Sequence, residues 1–191
     1  MRHNKQAFRP LSKHQDEDPI VLMELSSMQS SHIAYSYLAN VLATENNARV
    51  VGYVPRVYSS CLKRFAFKIA KLFGLSYLGI YRSFGVTDFI NIEISKLQKQ
   101  KALRIHGEVT NQIKVKRDLE ALTIHGIWVG DLIYDSYMAR FNKPTFDKTD
   151  LEFISFLLES IELFVFWEEY LYSHDVRAIS VSHCVYNLAM P

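Results

Sequence analysis

A chain of 191 residues, 49% hydrophobic and 13% aromatic, carries enough apolar side chain for one well-buried core and is short for two. A formal charge of +2 gives no strongly basic face of the kind a general nucleic-acid binder presents, so nucleic acid is not an expected partner. Cys61 and Cys184 lie far apart, without CxxC or Cys/His spacing, which sets aside zinc and thioredoxin-type sites and fits a reducing cytoplasm.

Residues 1–19 mix charged and polar side chains with only Phe8 and Leu11 to anchor them, and read as a mobile tail before a domain over 20–191. Arg2, Lys5, Arg9 and Lys13 precede no apolar run, so the tail is not a secretory signal. No uncharged stretch approaches the ~20 residues that span a bilayer. Residues 20–25 (IVLMEL) form a nearly continuous apolar run, the pattern of a strand buried on both faces. A Ser-rich loop over 26–31 follows, and Ser30 or Ser31 can cap a helix whose apolar positions Ile33, Tyr37, Val41 and Leu42 recur at helical spacing. Residues 49–54 (RVVGYV) read as a second strand, and the resulting βαβ unit predicts a parallel pair.

Residues 58–73 predict an amphipathic helix, with Leu62, Phe65, Ile69, Leu72 and Phe73 on one stripe and Lys63, Arg64, Lys68 and Lys71 elsewhere. Such a helix fits either a core contact with a solvated basic side or an anionic membrane surface. A short third strand is expected at 77–81 and a turn at 83–87. A helix is expected over 89–103, an irregular element over 104–115 and a short helix over 116–122. Thr149 or Asp150 can cap a long helix running to about Tyr172, too interrupted by Glu159, Glu162, Glu168 and Glu169 to be a membrane span. Residues 178–181 read as a further buried strand, followed by Ser182, His183 and a helix-like start at Val185. Ending there leaves that strand without its covering helix, so the chain is expected to be the first part of a longer protein or a truncated copy.

Ligands of an open α/β sheet collect beyond the carboxyl ends of its strands. Three places meet that expectation: the loop before and including Ser30 and His32, the run 130–135, and Ser182 with His183. Asp131 and Asp135 are one helical turn apart and share a face. Asp131 reads equally as a helix cap or as a functional carboxylate, Asp135 as a functional or merely exposed one, and Tyr134 as a packing residue with its hydroxyl near water. His183 follows a buried strand and is the strongest of the seven histidines, although a lone histidine is more often structural. His32, at a helix start, can help bind an anion or simply belong to a capped loop. There is no GxGxxG after the first strand, no GxxxxGK[ST], no HExxH and no GxSxG. The letters DED at 16–18 fall in the tail and are discounted as a metal-binding DxD.

The run GIWVGDLIYDSYMARF with PTFD just after it, then a long helix and SVSHCVY, resembles the amino-terminal half of bacterial capsule and surface-polysaccharide biosynthesis proteins of the glycosyltransferase type. The resemblance spans roughly residues 20–191. It implies an α/β, Rossmann-like parallel sheet flanked by helices, the first half of a two-domain GT-B-like architecture. It also implies a carbohydrate acceptor and a nucleotide-sugar donor held by a second domain or partner chain that this sequence does not contain, while the cysteines suggest a cytoplasmic location and the 58–73 helix suggests peripheral contact with the inner face of the membrane. Sugar transfer needs a base for the acceptor hydroxyl, and Asp135, His183 and Asp131 are the candidates, with Ser30, His32, Tyr134 and Ser182 as substrate-binding candidates. The alternative is a non-catalytic α/β remnant or binding module that lacks the donor half.

Overall fold

The nearly continuous apolar run at the start of the domain forms β1 (Ile20–Glu24), and all five of its residues, Glu24 included, are buried. The computed structural model describes residues 18–25, 29–53 and 78–181, with backbone alone at 29–32, 78 and 87. The helix expected over 58–73, Ser182 and His183 lie outside the described residues. The chain divides into two compact units, Met1–Ile92 with Leu171–Ser182, and Glu93–Tyr170 with His183–Pro191.

In the first unit, β1 is followed by α1 (Gln29–Glu45), β2 (Arg49–Tyr53), α2 (Leu78–Ser83) and β3 (Val86–Ile90), and the last strand is β6 (Val176–Ser180). These strands make one sheet in the order β3-β2-β1-β6, with every neighbouring pair parallel. The α/β class with a parallel sheet is therefore as expected, and counting the sheet strands in chain order gives 3-2-1-4, one half of the doubly wound order with the first strand beyond its switch point. Register is set by apolar pairs such as Val21 with Val50 and Leu22 with Val51. Side chains alternate across the sheet. Val21, Met23, Leu25 and Val50 pack with Ala39, Ala43, Ala48, Tyr81 and Val86 in one buried cluster.

The face that α1 buries is not the one its large side chains mark. Ile33, Tyr37 and Val41 are exposed, and Leu42 is only partly buried. Ser36, Ala39 and Ala43 face inward instead, because small side chains let the helix backbone lie close to the sheet. Asn40 fixes the helix in place, its amide donating to Ser36 O at 2.7 Å and to Phe84 O at 2.6 Å.

The third strand is also displaced from its expected place. Residues 78–83 are helical, with Ser83 Oγ donating to Ile80 O at 2.6 Å and Tyr81 fully buried in the core cluster. Gly85, at φ 88°, turns the chain into β3, where a turn was expected. Arg49 and Asp88 then join β2 to β3 through a side-chain ion pair.

The second unit contains α3 (Lys96–Gln112), α4 (Lys116–Glu120), β4 (Thr123–Ile124), β5 (Ile127–Trp128), α5 (Gly130–Phe141) and most of α6 (Leu151–Ser173). Helix α3 starts at a capping box in which Ser95 and Gln98 satisfy each other's backbone N–H groups. It runs through 104–112, where an irregular element was expected, because Ala102, Ile105 and Val109 continue one buried stripe. The long helix α6 follows the expectation. Asp150 accepts from Glu152 N at 2.9 Å as its cap, and Phe153, Phe156, Leu157, Ile161, Val165 and Trp167 are buried along it. Among the described residues no helix is long and apolar enough to cross a membrane.

Candidate functional site

The strand order creates one place where ligands of such sheets collect. β1 connects through α1 to β2 on one side and pairs with β6 on the other, so the order reverses between β1 and β6. Met23 is opposite Ser180, which puts the carboxyl ends of these two strands side by side. From β1 the chain passes through residues 26–28, which lie outside the described residues, into α1, which starts at Gln29 and has Ser30 and His32 in its first turn. From β6 it passes to Ser182 and His183. The side chains of these four lie outside the described residues.

The described residues at this end are unusually polar for a core. Glu24, the last residue of β1, is 8% exposed, and Tyr53, its partner on β2, is 1% exposed. Ser180 is 4% exposed, and among the described residues its hydroxyl has no hydrogen-bond partner, nor has that of Ser36 on α1. Ser180 pairs with Met23 and so shares the α1 side of the sheet. Gly52 has its own reason to be glycine, since a Cβ there would stand 2.9 Å from Leu25 Cδ2. Leu25 thereby folds over the end of β2, with its N–H donating to Tyr53 O at 2.9 Å.

The run 130–135 does not belong with these strand ends. Helix α5 follows β5, which among the described residues pairs with β4 alone, in a two-stranded antiparallel hairpin of the second unit. The strand-end argument that grouped Asp131 and Asp135 with the other candidates therefore fails for them. Much of the motif is explained by packing. A Cβ on Gly130 would stand 1.9 Å from Leu119 O, so only glycine lets α5 start this close to α4. Tyr137 is 1% exposed, ringed by Phe141, Phe153 and Phe156, and donates its hydroxyl to Asp150 at 3.1 Å. Burial, then the hydrogen bond to Asp150, pushes its phenol up from the ordinary value of 10.0.

Tyr134 is 9% exposed, edge-on to Phe146, with the Lys116 amino group 4.7 Å from its ring centre. Asp131 is not the helix cap. That position is Val129, which makes no side-chain cap bond, while Asp131 sits in the first turn with Oδ1 accepting from Leu132 N at 2.8 Å. A carboxylate there interacts favourably with the helix dipole. Asp135, one turn on, is exposed and makes no hydrogen bond or ion pair among the described residues, so it is the free acid of the pair.

One polar cluster had no sequence signal. The hairpin between β4 and β5 turns on His125 and Gly126, at φ 50° and 82°, the geometry of a two-residue primed turn. His125 Nδ1 contacts the Glu168 carboxylate, and Lys101 Nζ reaches the same group at 2.8 Å and Glu169 at 3.4 Å. Burial alone would raise the Glu168 carboxyl, but hydrogen bonds from Lys101 and His125 hold it below its ordinary range. The Glu168 hydrogen bond raises Lys101 in turn. These residues are 43 and 67 positions apart in sequence from Glu168, a separation that no local spacing rule detects.

Among the described residues no group of three or more His, Cys, Asp or Glu side chains is placed to hold a metal ion. No protein-family model matches the chain, and neither a curated protein nor a solved structure matches it.

Proposed function

We propose that the chain is the acceptor-side domain of a glycosyltransferase-like protein of bacterial surface-polysaccharide assembly, with GT-B-like architecture completed by a second, donor-binding domain. The observation that carries this is the neighbouring position of β1 and β6 in a parallel sheet. It supports the reading because the two polar segments leaving those strands, with Ser30 and His32 on one and Ser182 and His183 on the other, start from adjacent carboxyl ends. Buried hydroxyls at Ser36 and Ser180, without partners among the described residues, and the buried acid Glu24 add polar character on the two sides of the same strands. The resemblance of the GIWVGDLIYDSYMARF and SVSHCVY motifs supplies the carbohydrate chemistry.

In this reading His183 takes the proton from an acceptor hydroxyl whose oxygen attacks the anomeric carbon of the nucleotide sugar. The nucleoside diphosphate leaves with the bonding electron pair. Asp135 and Asp131 on α5 belong to the second unit and are candidate bases through the motif resemblance alone, Asp135 ahead of Asp131 because the Asp131 carboxylate already serves the helix start.

Saturation-transfer NMR with neutral and acidic oligosaccharides tests the proposal. His32→Ala and His183→Ala are each expected to weaken acceptor binding about tenfold with the far-ultraviolet circular dichroism unchanged. Wild-type affinity in both variants rules out the β1/β6 end as the acceptor site.

A further inference from the structure

The hairpin of the second unit presents a tryptophan that the fold does not bury. Trp128 is 61% exposed, whereas Trp167, the other tryptophan of the chain, is 3% exposed. A large exposed aromatic surface forgoes the burial that normally stabilises it. Trp128 is nonetheless held, because its indole N–H donates to Glu120 O at 2.6 Å at the end of α4. Fixing the ring in this way lowers the conformational entropy a ligand would otherwise have to remove.

The elements that hold the ring also carry polar side chains, among them one ion pair. Thr123 is directly opposite Trp128 across the hairpin, so both are on one face, and both are exposed. Glu120 pairs with Lys116 at 3.3 Å, and both side chains are about half exposed. Lys116 in turn stands over the Tyr134 ring. The ensemble offers one flat apolar face, a hydroxyl, a carboxylate and an ammonium group, with the two charges cancelling.

We propose that Trp128, Thr123, Glu120 and Lys116, backed by Tyr134, form a saccharide-binding platform. A pyranose ring has an apolar face of C–H groups that packs on an aromatic plane, and equatorial hydroxyls that need donors and acceptors at its edge. A neutral polyol matches the cancelled charge. A hydrophobic protein partner would leave the Lys116–Glu120 pair desolvated. The ligand class rests on the acceptor-side reading above, while the place rests on the geometry of the hairpin and α4.

Titration of the full chain with maltotriose, cellotriose and chitotriose, followed by tryptophan emission and iodide quenching, tests it. At least one sugar should shift the emission to the blue, saturably, and protect the exposed tryptophan from iodide. Trp128→Ala should abolish that binding by calorimetry, and Lys116→Ala should weaken it about tenfold, each with an unchanged melting temperature. The proposal is overturned by the absence of a saturable shift with all three sugars, by undiminished sugar binding in Trp128→Ala, or by uridine monophosphate occupying the ring more tightly than the sugars. Loss of binding in Trp128→Ala with wild-type affinity in His32→Ala and His183→Ala sinks the strand-end reading and leaves the platform standing.

Discussion

Gly130 shows how one residue decides what a motif means. Its Cα lies so close to α4 that any β-carbon would overlap Leu119 O and crowd Leu122 N at 2.6 Å. These are backbone atoms, which cannot swing aside as a side chain can. Gly130→Ala is therefore expected to destabilise the second unit by about 3 kcal/mol or more, read from chemical denaturation, with separation of α4 from α5. A loss below about 0.5 kcal/mol would contradict the packing argument. The concentration of Gly, Tyr and Asp in 126–147 was legible as unusual from sequence. That Gly130 and Tyr137 owe their identity to close packing was not, because their partners, Leu119, Phe153 and Phe156, come from other elements.

Elements with a single dominant signal were read correctly, and those with competing signals were not. β1 is apolar up to its last residue, Glu24, and α6 has a cap and a long stripe, so both emerged where expected. Around residues 77–90 two short apolar segments compete, and the helix took the first because Tyr81 reaches the core from it. In α1 the error was one of face. Periodicity marks where large apolar residues recur, yet the sheet accepts the side with Ser36, Ala39 and Ala43, where the backbone can approach. Ala39→Leu should then cost about 1–3 kcal/mol through overpacking, while Ile33→Ser should stay within about 0.5 kcal/mol. Thermal melts of the two variants separate the alternatives, and a larger loss for Ile33→Ser would return the helix to the orientation its periodicity implied.

Across the molecule, the parallel class of the sheet was legible from the apolar runs and their spacing, whereas the second unit was not, since its hairpin strands are two residues each. Its charge network sets a pH window. Glu168 is held below the ordinary value of 4.5, so its contribution is present above that pH and is lost as pH falls through the lower folded value. Lys101 is raised above 10.5, so its contribution is complete below that pH and is lost as pH rises through the folded value. The contribution of these two groups to stability should be flat between these limits. Glu168→Gln should shrink the decline on the acid side, measured as the denaturation midpoint at pH 3, 4 and 6. An identical acid limb in wild type and variant would assign the decline to other carboxylates.

The position of β6 has a consequence for how the chain is made. Ile20 pairs with Val176, so the fourth strand of the sheet leaves the ribosome only after all of the described second-unit elements have been synthesised. Until then β1 has one edge open, a row of unpaired N–H and C=O groups flanked by apolar residues, which is the kind of template that recruits other chains. Closing the sheet is a long-range event, and such events are slow because loop-closure entropy is lost before the contacts are gained. The described second-unit elements therefore lie within the loop that this pairing has to close.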